Sequence, residues 1–588
     1  MTRSTAPVAA LPPPPSPEWT FRGDPDPAIV ERLERELSLP RPLCALLAAR
    51  NVTDPEQARS FLRPRLEDLH PPEAMRDLDR AAARILAAIA GGEIILVHGD
   101  YDVDGVCATA LLTRWLRHLG GEVVPFVPHR RRDGYDLGEA GIEAARSARA
   151  TLLITCDSGI LAHDAVASAQ AAGIEVIVTD HHTPGPTLPP AFAVVNPSRG
   201  DCTYPEGTLC GAGVAFKLCQ RLGALREVPS EELWPHLDLL ALATVADLVP
   251  LVGENRVFVK FGLRYLSHTP KPGLRALLEV AGLTPGKALG AGQVGFVLAP
   301  RINAAGRMEH AELALRLLLT EDPEEGRALA GALDAENARR QDEDRATLVD
   351  ALERLAADFD PERDYGVVLA GEAWHPGVIG IVASRVVERI HRPVVLIALD
   401  GERGRGSARS IPGVHLFEAL DATREHLLRF GGHRQAAGLD ISRAELPAFR
   451  AAFNRSVKAQ LEGRLPRPQV GGDLALPLAR ADRELHRFLE HLGPFGIGNP
   501  RPVFWARGLR VVGSPRIVGS GHLKLRLGEG GRELDAIGFG MAPRVPPGSF
   551  GGGAVDVLFQ LQENEYRGTR SLQALLVDLR PADVLTAG

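Results

Sequence analysis

Asp100, Asp102 and Asp104 follow His98-Gly99 at alternate positions, Asp157 stands after a second apolar run, and Asp180-His181-His182 follow a third. Each run is short and rich in Val, Ile and Leu, as expected of buried strands over 94–97, 152–155 and 176–179. In an open α/β sheet the ligand crevice lies beyond the carboxyl ends of the strands. Three strand ends are therefore expected to deliver acidic and imidazole side chains to one place. So many carboxylates repel one another unless cations neutralise them. A mixed carboxylate and imidazole set suits Mn²⁺, with Mg²⁺ as the alternative, and two such ions about 3.5–4 Å apart can clamp a phosphoryl group and activate water. Taken alone, an Asp after a strand is usually a helix N-cap, and a lone His pair is usually structural. The coincidence of three strand ends favours a metal site.

The elements that must position these residues alternate. With a further strand at 193–195 and helices at 106–119 and 160–172, the pattern predicts a parallel sheet covered on both faces. Residues 320–358, rich in Ala, Leu, Glu and Arg, predict a long connecting helix. An α/β pattern restarts with strands at 366–370 and 394–397 and ends near Arg455, and the polar stretch 456–468 reads as a linker. A helical stretch near 480–492 precedes five strand-like runs at 503–512, 522–527, 533–539, 554–560 and 572–579, which predict a small OB-like β-barrel.

The length of 588 residues exceeds what one hydrophobic core serves. No apolar run is long enough to cross a bilayer, and Pro12-Pro13-Pro14-Pro15 stands where a secretory signal needs an apolar core. The expectation is a short disordered leader on a cytoplasmic protein. The six cysteines lack C-x-x-C spacing, which reads as scattered reduced thiols. The net charge of −7 argues mildly against a nucleic-acid partner, but a carboxylate cluster can lower the sum while basic residues line one groove.

Asp180-His181-His182 resembles the signature of the DHH phosphoesterases, and Gly99-Asp100-Tyr101-Asp102-Val103-Asp104-Gly105 resembles their first motif. Leu153-Ile154-Thr155-Cys156-Asp157-Ser158-Gly159 is similar to the second motif, and Ala243-Thr244-Val245-Ala246-Asp247-Leu248-Val249-Pro250 to the fourth. An unpaired Asp247 in an apolar helix is costly, which agrees with a ligand role. The segments 300–307, 374–385, 430–438 and 494–500 extend the likeness to the RecJ-like exonuclease branch. That resemblance implies a DHH catalytic domain over 78–319 after an N-terminal extension over 1–77. It further implies the connecting helix over 320–358, a second α/β, DHH-associated domain over 359–460, and an OB-fold nucleic-acid-binding domain over 461–588.

The resemblance also implies a 5′→3′ exonuclease of DNA repair and recombination that degrades single-stranded DNA to mononucleotides with Mn²⁺ or Mg²⁺. A helicase and a single-strand-binding protein are its expected partners, and the monomer its expected state. Asp102, Asp104, Asp157, His181 and Asp247 carry over as ligands, with Asp100 and His182 as close supporting residues. The spacing of His98 to Asp102 and Asp104 matches the pyrophosphatase branch, in which that His is a ligand; here both readings stay open. One departure is Asp136, where the family tends to carry Gly. In the same loop Arg130 and Tyr135 are candidate DNA contacts, weighed equally against a solvated basic loop.

If extended, Arg405, Ser407 and Arg409 share one face and could grip phosphate, the alternative being a glycine-rich surface turn. Gly432 permits close backbone approach, and His433 contacts phosphate or caps a following helix. Arg301 and Arg307 fit a phosphate contact or a salt bridge equally. Lys524 and Arg526, on an alternating strand with His522, could face a phosphate backbone. Two rival readings are a DHH enzyme for short RNA or cyclic dinucleotides, which generally lacks the OB-like region, and a non-catalytic replication scaffold, whose relatives have lost the ligands present here.

Overall fold

The runs Ile94–Gly99, Leu152–Cys156, Glu175–Thr179 and Ala193–Val195 form parallel strands, as their apolar composition requires of strands buried on both faces. A fifth strand, Glu122–Phe126, pairs parallel with Ile94–Gly99 at the sheet edge, where Pro125 is tolerated. The computed structural model describes residues 15–582 except 131, 308–310, 520, 544, 546–552 and 567. It divides into two compact units, one of residues 59–339 and 492–501, the other of 1–58, 340–491 and 502–588.

In the first unit, side-chain alternation sorts the sheet into two cores. Ile95, Val97, Leu152 and Ile154 join a large cluster with Val106, Leu111 and Trp115 of the helix Val103–His118 and with Phe216 of Gly211–Leu225. Leu96, Leu153, Val176 and Val178 face the other way, onto Ile142 and Ala145 of Glu139–Ser147 and Val166 and Ala169 of His163–Ala171. That last helix begins three residues later than the sequence pattern suggests. The helix Leu237–Ala246 is apolar nearly all round and accordingly buried.

The long helix runs over Pro323–Asp358, close to its expected bounds. In the second unit, a five-stranded sheet takes the order Arg429–Gly432, Ala436–Ser442, Arg403–Arg409, Val394–Asp400, Val367–Gly371. Helices Ile379–Ile390 and Leu446–Gln460 cover its opposite faces. The latter continues past Arg455, because Phe449, Phe453 and Val457 maintain a buried stripe at four-residue spacing; the expected linker is shortened to 461–468.

The C-terminal strands are Phe504–Val511, His522–Glu529, Arg532–Gly538, Ala554–Tyr566 and Thr569–Pro581. Phe504–Val511 pairs with Ala554–Tyr566 and, over Arg510 and Val511, with His522–Glu529. The N-terminal region is helical over Pro27–Leu37 and Arg41–Ala49, and it also holds a strand, Glu18–Phe21, parallel to Gln469–Gly472. The leader expected to be disordered lies outside the described residues up to position 14. Among the described residues, no helix is long and apolar enough to cross a membrane.

Candidate metal centre

Parallel pairing sets Gly99 opposite Cys156 and Cys156 opposite Thr179, so three strands end in one row. The next residues in the chain are Asp100, Asp157 and Asp180. Asp102 caps the following helix, its Oδ1 accepting the Gly105 N–H at 3.1 Å. Asp104 turns instead to a second helix N-terminus: the N–H groups of Gly211 and Ala212 donate to its two oxygens at 2.6 and 2.8 Å. Both approaches need glycine. A Cβ on Gly105 would lie 2.4 Å from Asp100 N, and one on Gly211 would lie 2.5 Å from Asp157 Cβ.

Asp157 adopts a left-handed backbone, φ 62°, uncommon for a residue with a side chain. Its Oδ1 lies 3.1 Å from His181 Nε2, and the same imidazole nitrogen is 3.8 Å from both Asp104 Oδ2 and Asp247 Oδ2. Asp247 stands at the C-terminal end of Leu237–Ala246. Asp180 makes a different use of its carboxylate. Its Oδ1 accepts from His181 N, His182 N and His182 Nδ1 at 2.7, 3.1 and 2.7 Å, and its Oδ2 from Ile160 N at 3.0 Å.

Potential ligand atoms fall into three overlapping groups: Asp157, His181 and His182; Asp104, His181 and Asp247; Asp100, Asp102 and Asp157. In the absence of a cation the cluster is electrostatically unfavourable. Burial, then the neighbouring Asp charges, pushes Asp100 and Asp157 well above the usual carboxylate range, raises Asp102, and brings Asp247 to about 8. Asp100 Oδ1, Asp157 Oδ1 and His181 Nε2 are buried without hydrogen-bond partners. A cation satisfies all three conditions at once: repulsion, desolvation and unpaired lone pairs. The donor set fits Mn²⁺ or Mg²⁺.

Asp180 and His182 behave as an ion pair. Burial opposes ionisation of both, but the bond between them holds Asp180 below its ordinary range and lifts His182 to about 9. His98 belongs to none of the three ligand groups. Alternation places it on the side of Leu96, its ring 5.4 Å from that of Phe126, and burial lowers its pKa to about 4. Both its ring nitrogens lack hydrogen-bond partners.

Arg130 and Tyr135 are brought to the rim of the cluster. The Arg130 guanidinium lies 5.1 Å from the Tyr101 ring centre, and Tyr135, 51% exposed, sets its hydroxyl 3.5 Å from His182 Nε2. Arg307 ends the helix Ala299–Arg307, where its charge acts on Tyr101. Arg301 is held by Asp334 Oδ1 at 2.9 Å and donates to Val297 O.

The remaining candidates lie in the other unit. Arg405, Ser407 and Arg409 share one face of Arg403–Arg409, the alternate residues being buried, and Arg409 donates to Ser407 Oγ at 3.1 Å. Gly432 ends a strand, and His433 donates its N–H to Ala436 O in the turn before Ala436–Ser442. A strand, rather than a helix for His433 to cap, follows. Lys524 lines a concavity of about 610 Å³ with Phe539, Gln562, Asn564 and Gln573. Arg526 pairs with Glu533 and Asp535.

Three residues acquire site roles that were not assigned from sequence. Asp180 orients the His182 imidazole and the His181 backbone, Asn303 Oδ1 accepts the Val103 N–H at 3.2 Å, and Asn196 Nδ2 donates to His182 O at 2.9 Å. Asp180 was visible in the signature; the two asparagines offered no comparable pattern.

The sequence model of the DHH family, N-terminal domain, matches residues 94–244, that of the DHHA1 domain 364–459, and that of the RecJ OB domain 472–578. The single-stranded-DNA-specific exonuclease RecJ of Escherichia coli is 36% identical over 572 residues, covering 94% of this chain and 98% of that protein. Its namesake from Thermus thermophilus is 40% identical over 570 residues, covering 94% and 79%. The crystal structure of RecJ in complex with Mn²⁺ from Thermus thermophilus matches with a TM-score of 0.81 at 36% identity, covering 96% of this chain and 80% of that one. The corresponding Mg²⁺ complex matches with a TM-score of 0.76 at 34% identity, covering 96% and 78%. With three matched domains in order and a metal-ready acidic centre at the ends of its parallel strands, the chain belongs to the RecJ family of DHH proteins.

Proposed function

We propose that the chain is a metal-dependent exonuclease specific for single-stranded DNA, cutting from the 5′ end and releasing mononucleotides in DNA repair and recombination. The observation that carries this reading is the overlap of the ligand groups through Asp157 and His181. Asp100, Asp102 and Asp157 would hold one divalent ion, and Asp104, His181 and Asp247 the other, with Mn²⁺ as the preferred metal and Mg²⁺ its substitute. When bound, such ions acidify water and stabilise charge on the phosphoryl oxygens. Asp180 fixes the His182 ring and the backbone of His181, and His182, at the rim beside Tyr135, supports the reaction next to the phosphodiester. His98 supports the strand end from beneath.

Arg130, Tyr135 and Arg307 guide the strand at the metal centre. Arg405, Ser407, Arg409, Gly432 and His433 hold its phosphates on the DHHA1 domain, with Lys524 and Arg526 serving the OB domain. Arg301 supports this path from its ion pair with Asp334. The protein acts as a cytoplasmic monomer alongside a strand-separating helicase and a single-strand-binding protein. Digestion of 5′- and 3′-labelled single and double strands with Mn²⁺ or Mg²⁺ tests substrate, polarity and metal together. Loss of label first from the 5′ end of single strands is the expected result; attack on duplex ends or from the 3′ end refutes the reading.

A further inference from the structure

We propose that Asp136 is a positioning residue whose carboxylate ties the loop carrying Arg130 and Tyr135 to the turn following Asp157, fixing the rim of the metal centre. Its Oδ1 accepts the N–H of Leu137 at 2.8 Å and, across the site, that of Gly159 at 2.6 Å. Gly159 lies two residues beyond Asp157. Asp136 holds these bonds from a left-handed backbone, φ 75°, a conformation that favours glycine. A carboxylate in that conformation bears a backbone cost that glycine avoids, and the bond to Gly159 is its return.

Leu137 is buried in the core beside this anchor, and a further set of polar bonds lies within the loop. His129 N–H donates to Asp133 Oδ2 at 2.9 Å, Asp133 N–H donates to His129 O at 2.8 Å, and Arg132 pairs with Asp133 at 2.7 Å. These bonds among 129–133 shape the loop without reaching the turn after Asp157. Asp136 reaches out, and its neighbour Tyr135 meets His182 while Arg130 covers Tyr101. Movement of the anchor therefore shifts two rim residues relative to the ligand groups. Asp136 touches no ligand group itself, so its effect falls on substrate capture rather than on metal loading.

This role in substrate binding rests on the proposed exonuclease reading, and three variants of the full chain with Mn²⁺ test it. Asp136→Asn keeps the Oδ1 acceptor, Asp136→Gly keeps the left-handed backbone without an acceptor, and Asp136→Ala keeps neither. Hydrogen–deuterium exchange of peptides covering 130–138 and 157–161 reads the anchor independently of turnover. Faster exchange in both peptides is expected for the Ala and Gly variants, with protection restored by Asn. On a 5′-labelled single strand, the Ala and Gly variants should raise KM about tenfold while kcat stays within about twofold, and Asn should restore KM.

A Gly variant matching wild type in exchange and KM overturns the proposal, since backbone conformation alone then suffices. So does an Asn variant as impaired as Ala. If the wild type leaves DNA intact, the exonuclease reading fails, while the exchange pattern still decides whether Asp136 anchors the loop.

Discussion

Asp180 Oδ1 and His182 Nδ1 lie 2.7 Å apart, and the same oxygen receives the backbone N–H of His182, so one carboxylate fixes both the ring and the chain of its neighbour. Asp180 is thereby committed to orientation, and His181 is left to face Asp157, Asp104 and Asp247. Asp180→Ala should weaken Mn²⁺ affinity by about 10–100-fold, the usual effect of removing a residue that orients a ligand. Calorimetric titration of purified protein measures it, and unchanged affinity refutes the assignment.

Replacing Asp157 by Ala should abolish nuclease activity while leaving a folded chain. It also relieves repulsion in the metal-free cluster, where burial and the charges of Asp104, Asp102 and Asp100 hold Asp157 far above the ordinary carboxylate range. The metal-free variant should therefore melt no lower than the wild type, and it should lose the rise in Tm that Mn²⁺ gives. Full activity in this variant sinks the metal-centre assignment.

Metal affinity should climb with pH. Burial and neighbouring carboxylates place Asp247 at about 8, so near neutrality the metal-free site retains protons that a cation must displace. Mn²⁺ binding is expected to release protons at pH 7 and to tighten toward pH 9. Calorimetry in buffers of different ionisation heat counts them; binding without proton release at pH 7 contradicts the coupled cluster.

Acid should destabilise the fold through a histidine remote from the ligand groups. Burial, aided by the Lys271 charge, lowers His236 to about 3, and its Nδ1 is buried without a hydrogen-bond partner. The unfolded chain holds this proton below about pH 6.5 while the native state refuses it until about 3. Its contribution is thus full above pH 6.5 and falls away as pH drops through that window. His236→Asn should flatten the stability curve there by about one proton, measured by urea unfolding at successive pH values. An unchanged slope removes His236 from the account.

The legible part of the fold was the part in which composition and burial coincide. Ile94–Gly99, Leu152–Cys156 and Glu175–Thr179 are apolar because both faces are covered, and their ends displayed the acidic residues. Glu122–Phe126 escaped notice because an edge strand accommodates Glu122 and Pro125. The helix Leu446–Gln460 outruns the apparent boundary near Arg455 because Val457 continues its buried stripe among polar neighbours that by themselves resemble a linker. Asp104, Asp157 and Asp247 were identifiable as candidates from their motifs. The use of Asp104 as a cap for Gly211 and Ala212, and that of Asp136 for Gly159, depends on segments distant in sequence, which local pattern does not reveal.

The row formed by Gly99, Cys156 and Thr179 makes the sheet a ruler for the catalytic atoms. Adding or deleting one residue upstream in any of these strands advances or retracts its aspartate by about 3.3 Å and turns it to the opposite face. Amino-acid exchanges within the strands leave that spacing intact wherever the core accepts them. Tolerance to change should therefore separate by kind, with the reading frame of the ladder guarded more strictly than the letters written along it.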